Sequence, residues 1–197
     1  MKSLLVFAIF TAFGIKSVAQ TSDMISFEKE RIKYDKKSML VLGSWAAANM
    51  AIGAIGTNTN NNQHRYFHQM NVIWNSANLL IAGLGYLAAS HEKTDNLTLT
   101  KVLLHQNNKE KTFIFNAGLD LVYITSGLYL TERSRRNTDP SKLKGYGNAV
   151  MMQGGFLLLF DVVMYNIHHQ HGKKLAAFSD KITLAGSPAG MLLTYRL

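Results

Sequence analysis

Two carboxylates interrupt stretches that are otherwise apolar: Asp120, inside the run from Phe113 to Arg133, and Asp161, inside the run that begins at Gln153. An ionisable side chain in hydrocarbon is costly and persists where it has a partner or a task, so the chemistry open to it is binding of a proton, an ion or a small polar ligand. Carboxamides recur in the other apolar stretches at helical spacing. Asn71, Asn75 and Asn78 share one face, Asn116, Asp120 and Tyr123 a second, and Trp45 and Asn49 a third, because residues three, four and seven apart lie on one side of a helix. Gln153 and Asp161 are about 80° apart around their helix at 3.6 residues per turn, so one of them can face Asp120 without the other. The candidate polar-core or ligand residues are therefore Asp120, Asn116, Tyr123, Asn49, Asn75, Asn78, Gln153 and Asp161. Their plain role is to fix helix register through interhelical hydrogen bonds worth about 1 kcal/mol each. Their sharper role is a proton, ion or solute site titrated by Asp120, with Asp161 as a carboxylate nearer the interface.

Other chemistries find less support. His168, His169 and His171 carry donors suited to zinc, copper or nickel. Neighbouring side chains on a helix diverge, however, and a cation at a helix end is already explained by the dipole. His64, His68, His91 and His105 also sit at segment ends or in connectors, where a haem held between helices cannot use them. With no cysteine there is no thiolate metal site, catalytic thiol or lipidated anchor. No phosphate loop, nucleophile elbow or metalloprotease helix is present. No catalytic residue, metal or cofactor is assigned, and the reading is non-enzymatic.

The elements that must position these residues follow from the hydropathy pattern. Of 197 residues 47% are hydrophobic and 17% charged, with the apolar residues gathered in blocks. Four blocks, residues 38–57, 67–89, 113–130 and 146–167, approach the about 20 residues that cross hydrocarbon as a helix. Two of them are apolar around nearly the whole circumference, which a half-buried helix of a water-soluble bundle is not. The expected fold is all-α: a four-helix transmembrane bundle over residues 21–172 with a short C-terminal tail, residues 173–197. Alternation around Ile182 and turn residues at Gly186-Ser-Pro-Ala-Gly190 allow a small β-hairpin in that tail. Residues 1–20, with Lys2, an apolar run over 4–15, then Ser17 and Ala19, read as a signal peptide.

The connectors are polar. Residues 21–37 read as a charged surface helix, and residues 58–65 as a short turn between antiparallel neighbours. Residues 90–111 scatter Leu97, Leu99, Val102, Leu103 and Leu104 among charges. They fit an amphipathic interfacial helix capped by Thr94 or Asp95, or equally a solvated extension of the adjacent helices. Residues 131–144 form the densest basic loop, with Asp139-Pro140 as its turn signal. The net charge of +9 lies in these connectors and not along one helix interleaved with aromatics, so the partner implied is the lipid bilayer and not nucleic acid. A homo-oligomer is left open.

A leader places residues 21–37, the second connector and the tail outside, with both mature termini in the periplasm of an inner-membrane protein. The positive-inside rule opposes this, since thirteen Lys and Arg would lie outside and six inside. The leader is given more weight because the rule favours short basic loops, and the third connector is such a loop.

An internal similarity aligns Trp45-Ala-Ala-Ala-Asn49 with Trp74-Asn-Ser-Ala-Asn78, and Gly56 with Gly85. Shared helix-contact demands explain it as well as duplication does. Taken with Asn116-Ala-Gly-Leu-Asp120, Gly127-Leu-Tyr-Leu-Thr-Glu-Arg133, Gly145-Tyr-Gly147 and Gln153 to Asp161, the chain resembles an uncharacterised family of small bacterial membrane proteins with a leader and four helices. The resemblance spans roughly residues 21–170 and implies the fold, but no activity and no site.

Overall fold

The computed structural model describes the backbone of residues 2–179, 182–187 and 190–195, and the side chains of residues 22–175. Four helices make up most of the chain: α1 (Lys2–Gly56), α2 (Asn62–His91), α3 (Leu99–Ser134) and α4 (Pro140–Ser179). A two-stranded antiparallel pair follows, β1 (Ile182–Ser187) with β2 (Gly190–Tyr195), in register from Ile182 opposite Tyr195 to Ser187 opposite Gly190. The helix boundaries have local causes. Asn61 caps α2 by accepting from the His64 backbone N–H at 3.1 Å. Pro140 opens α4, where its missing N–H costs nothing.

The four helices are each long and apolar enough to cross a membrane. Their large apolar side chains point outward: Ile55 is 79% exposed, Phe115 67% and Leu159 65%. Asn75 and Gln153, by contrast, are fully buried. Polar groups inside and apolar groups outside is the order a bundle takes in lipid.

A heptad stripe runs down each helix. On α3, Gln106, Phe113, Asp120, Gly127 and Ser134 are buried at intervals of seven. On α1, Met24, Arg31 and Ser38 form one row and Glu28, Asp35 and Leu42 another. Seven-residue spacing keeps one face against its neighbours over any length, as in other nearly parallel helix packings. At the end of the bundle where α3 turns into α4 this approach is close because side chains are missing: a Cβ at Gly127 would lie 2.6 Å from the Gly147 carbonyl oxygen. Gly145 lets α4 approach α2 in the same way, against the Gln63 carbonyl.

The helices are longer than a hydrocarbon layer is thick. At 36 residues α3 is about 54 Å long, against roughly 30 Å of hydrocarbon. The surplus gathers at one end, where residues 22–37 of α1, the end of α2, the start of α3 and the end of α4 form a polar cap. Two expectations are corrected there. Residues 21–37 do not lie on the surface as a helix of their own; they continue α1 and bury Met24, Phe27, Glu28, Arg31 and Asp35 against the other helices. The second connector is not a separate interfacial helix; of its two expected forms, the extension of an adjacent helix is the one found, although part of it is buried and not solvated. It turns at Asn96, whose φ of 51° is left-handed, and Thr98, not Thr94 or Asp95, caps α3 by accepting from the Lys101 N–H. From Leu99 on it is the first turns of α3, and Val102 is fully buried with Met24, Phe27 and Leu175.

Candidate functional site

The buried polar residues fall into three groups along the bundle. In the first, at the level of the candidate spans, amides link three helices. The Trp45 indole N–H of α1 donates to the Gln153 Oε1 of α4 at 2.9 Å, and Gln153 Nε2 donates to Asn71 Oδ1 of α2 at 2.8 Å. Asn75 donates to the Asn71 carbonyl at 2.8 Å, and Asn78 to the Asn75 side chain at 3.5 Å. Trp45 also stacks on Phe156 with ring centroids 3.8 Å apart, which fixes the donor's direction. Gln153 thus uses both ends of its amide across helices, which suits a residue that holds register.

The second group is a carboxyl pair. Asp120 of α3 and Asp161 of α4 are both buried and lie close enough for each to act on the other's ionisation, with Asn116 beside Asp161. Asp120 Oδ2 has no hydrogen-bond partner among the described residues. Two ionised carboxylates offer acceptors only, so a hydrogen bond between them would require a shared proton. Gln153, about 80° around α4 from Asp161, faces Asn71 and Trp45 instead, so α4 carries two neighbouring polar faces.

The third group lies in the cap and was not singled out from the sequence. Arg31 is buried, with its guanidinium held by three carboxylates: Glu28 at 2.6 Å, Asp35 at 2.8 Å, and Glu92 from the end of α2. Lys109 of α3 adds a second cation 3.1 Å from Asp35, and His105 Nδ1 lies 3.2 Å from Glu28. Glu28, Glu92 and His105 bring ligand atoms within 4.8 Å of one another. Arg31 Nη2 contacts both of those carboxylates and already supplies the cation there.

Beside this network His168 is fully buried, stacked on Phe113 with centroids 5.2 Å apart, and its nearest charge is Asp35 at 3.5 Å. Burial pushes its imidazole down to about 4, with the Asp35 carboxylate opposing the shift and Lys109 and Arg31 adding to it. His171 is lowered for the same first reason, partly offset by Glu30 and the Phe27 carbonyl. Glu30 is held below the usual carboxylate range by its hydrogen bond to Lys174.

A family model described as a family of unknown function, DUF6992, matches residues 41–162. The chain belongs to the DUF6992 family. The part matched in this DUF6992 chain includes the amide chain and the carboxyl pair, together with Glu92 and His105 of the cap; Glu28, Arg31, Asp35 and the His168–His171 turn lie outside it. No curated protein and no solved structure matches the chain.

The structure brings together only part of the set expected from the sequence. Asn75, Asn78 and Gln153 join the amide group, and Asp120, Asp161 and Asn116 join the carboxyl group. Asn49 reaches neither: it is half-buried and donates to its own helix at the Trp45 carbonyl. Tyr123 is also half-buried and packs edge-on against Trp74 at 4.9 Å, an aromatic contact between α2 and α3. The aligned Trp45 and Trp74 therefore meet different partners. The signal that marks the cap residues is the heptad phase of Leu42 and Trp45, which carried back by sevens reaches Asp35, Glu28, Ser38, Arg31 and Met24.

Proposed function

We propose that this DUF6992 protein is a non-enzymatic, multi-pass membrane protein that binds a proton or small cation between Asp120 and Asp161, as a carrier or sensor. The observation that carries the reading is the convergence of two buried carboxyls from adjacent helices, neither of them in a salt bridge among the described residues. A pair needed only as glue would be served by amides, as the Trp45–Gln153–Asn71 chain shows in the same bundle. The competing reading, a bundle whose polar groups serve only assembly or a partner, draws its support from that same chain, since every link in it is a register-fixing bond. The leader-like residues 1–20 and the compact basic third connector favour an inner membrane with the cap and both mature termini on the periplasmic side.

The test is labelling by a hydrophobic carbodiimide, which adds to a protonated carboxyl reached from lipid. Peptide mass spectrometry should place the adduct on Asp120 or Asp161, and Asp120→Asn and Asp161→Asn should each abolish or redirect it while the protein still purifies folded. Absence of an adduct on both residues in the folded wild type would sink the proton-binding reading.

A further inference from the structure

A cleft of about 440 Å³ runs between the cap half of α1 and the end of α2. Lys29, Lys33, Lys36 and Lys37 line one wall, and Leu40 and Tyr86 close its membrane-side edge. The four lysines recur at intervals of four, three and one, on the side of α1 turned away from buried Glu28, Arg31 and Asp35. None of them forms a salt bridge among the described residues, whereas Arg31, Lys109 and Lys174 all do. The acid on the cleft wall, Glu92, is engaged by Arg31 and so does not neutralise the lysines.

The height of this cleft identifies its occupant. Lys37 directly precedes the first expected span, and Tyr86 lies three residues before the end of the second, so the lysines stand at the level of lipid headgroups. Leu40 is 56% exposed and continues the lipid-facing surface downward from them. A phosphate beside the lysines would leave its acyl chains along Leu40 and Tyr86; a free anion would leave that apolar edge unused. Juxtamembrane clusters of basic residues attract anionic lipid through this combination. We infer that the α1–α2 cleft is a binding site for an anionic phospholipid, its phosphate held by Lys29, Lys33, Lys36 and Lys37. The site stands at the boundary whichever leaflet the cap faces, and it does not depend on the carboxyl pair.

The experiment uses the full chain in phosphatidylcholine nanodiscs containing increasing phosphatidylglycerol, with lipids retained by the protein counted by native mass spectrometry. Wild type should retain phosphatidylglycerol at least about tenfold over phosphatidylcholine, with the preference falling at high salt. Lys33→Gln and Lys37→Gln should each lower it up to about fivefold, and the Lys29, Lys33, Lys36 and Lys37→Gln variant should bring it near parity. These side chains are at least partly exposed, so the variants should fold. A matched loss of four charges at the far end, Arg135, Arg136, Lys142 and Lys144→Gln, should leave the preference in place. No preference in wild type, retention of it by the four-lysine variant, or equal loss in the far-end variant would each overturn the inference. Displacement of the retained lipid by millimolar inorganic phosphate would overturn the choice of a lipid.

Discussion

Replacing His168 by Leu should flatten the acid side of the protein's stability profile. In the folded cap the His168 imidazole is fully buried between Phe113, Asp35 and the Gln106 amide, which donates to the His168 carbonyl. Its folded pKa is pushed down to about 4 from 6.5. A histidine with a depressed folded pKa binds its proton more readily when unfolded, so stability is intact above about pH 6.5 and drains away as pH falls towards 4. At 1.36 kcal/mol per unit the loss across that window is about 3 kcal/mol. Glu30, also lowered, acts with the same sign, but it is part-exposed against Lys174 and solvent screens its share. The assay is hydrogen exchange of the backbone amides of residues 99–112 in detergent at several pH values, which reads opening of the cap. Wild type should lose protection between pH 7 and 4 by roughly two decades, and the Leu variant by much less. Parallel losses in the two proteins would refute the idea that a neutral, buried His168 is what makes the cap acid-sensitive.

Two further outcomes follow from the same geometry. Arg31→Met takes the guanidinium from buried Glu28 and leaves Asp35 with Lys109 as its cation, and should destabilise the cap by about 3–5 kcal/mol, while adding Glu28→Gln to it should restore a large part; equilibrium unfolding of the two variants in detergent decides this. Gly147→Ala drives a methyl group to 2.6 Å from the Gly127 carbonyl and should cost about 1–3 kcal/mol in the same assay, whereas Gly155→Ala, with open space around it, should be near neutral.

The four long helices were legible in the sequence because length and apolarity alone report them, and each of residues 38–57, 67–89, 113–130 and 146–167 falls within one of them apart from Thr57, which follows α1. The convergence of Asp120 with Asp161 was left open because eight residues place Gln153 and Asp161 on different faces, and only the partner helices decide which face meets α3. The cap was hidden for a physical reason. Charged residues in α1 and α3 mark solvent when composition is read, yet Glu28, Arg31 and Asp35 are buried because they satisfy one another. Their heptad phase, continuous with Ser38, Leu42 and Trp45, carried the information that their charge obscured. Asn49 misled in the opposite sense: its spacing from Trp45 is that of Asn78 from Trp74, but α1 turns it only halfway inward and its own backbone takes its amide.

The most direct measurement is infrared difference spectroscopy of the reconstituted protein between about pH 5 and pH 9, a range that covers carboxyls displaced from their usual values. A proton held between Asp120 and Asp161 should give a protonated-carboxyl band that changes across the titration and disappears in both Asp120→Asn and Asp161→Asn. A band that survives in both variants, or none in the wild type across the whole range, would contradict proton binding at the pair.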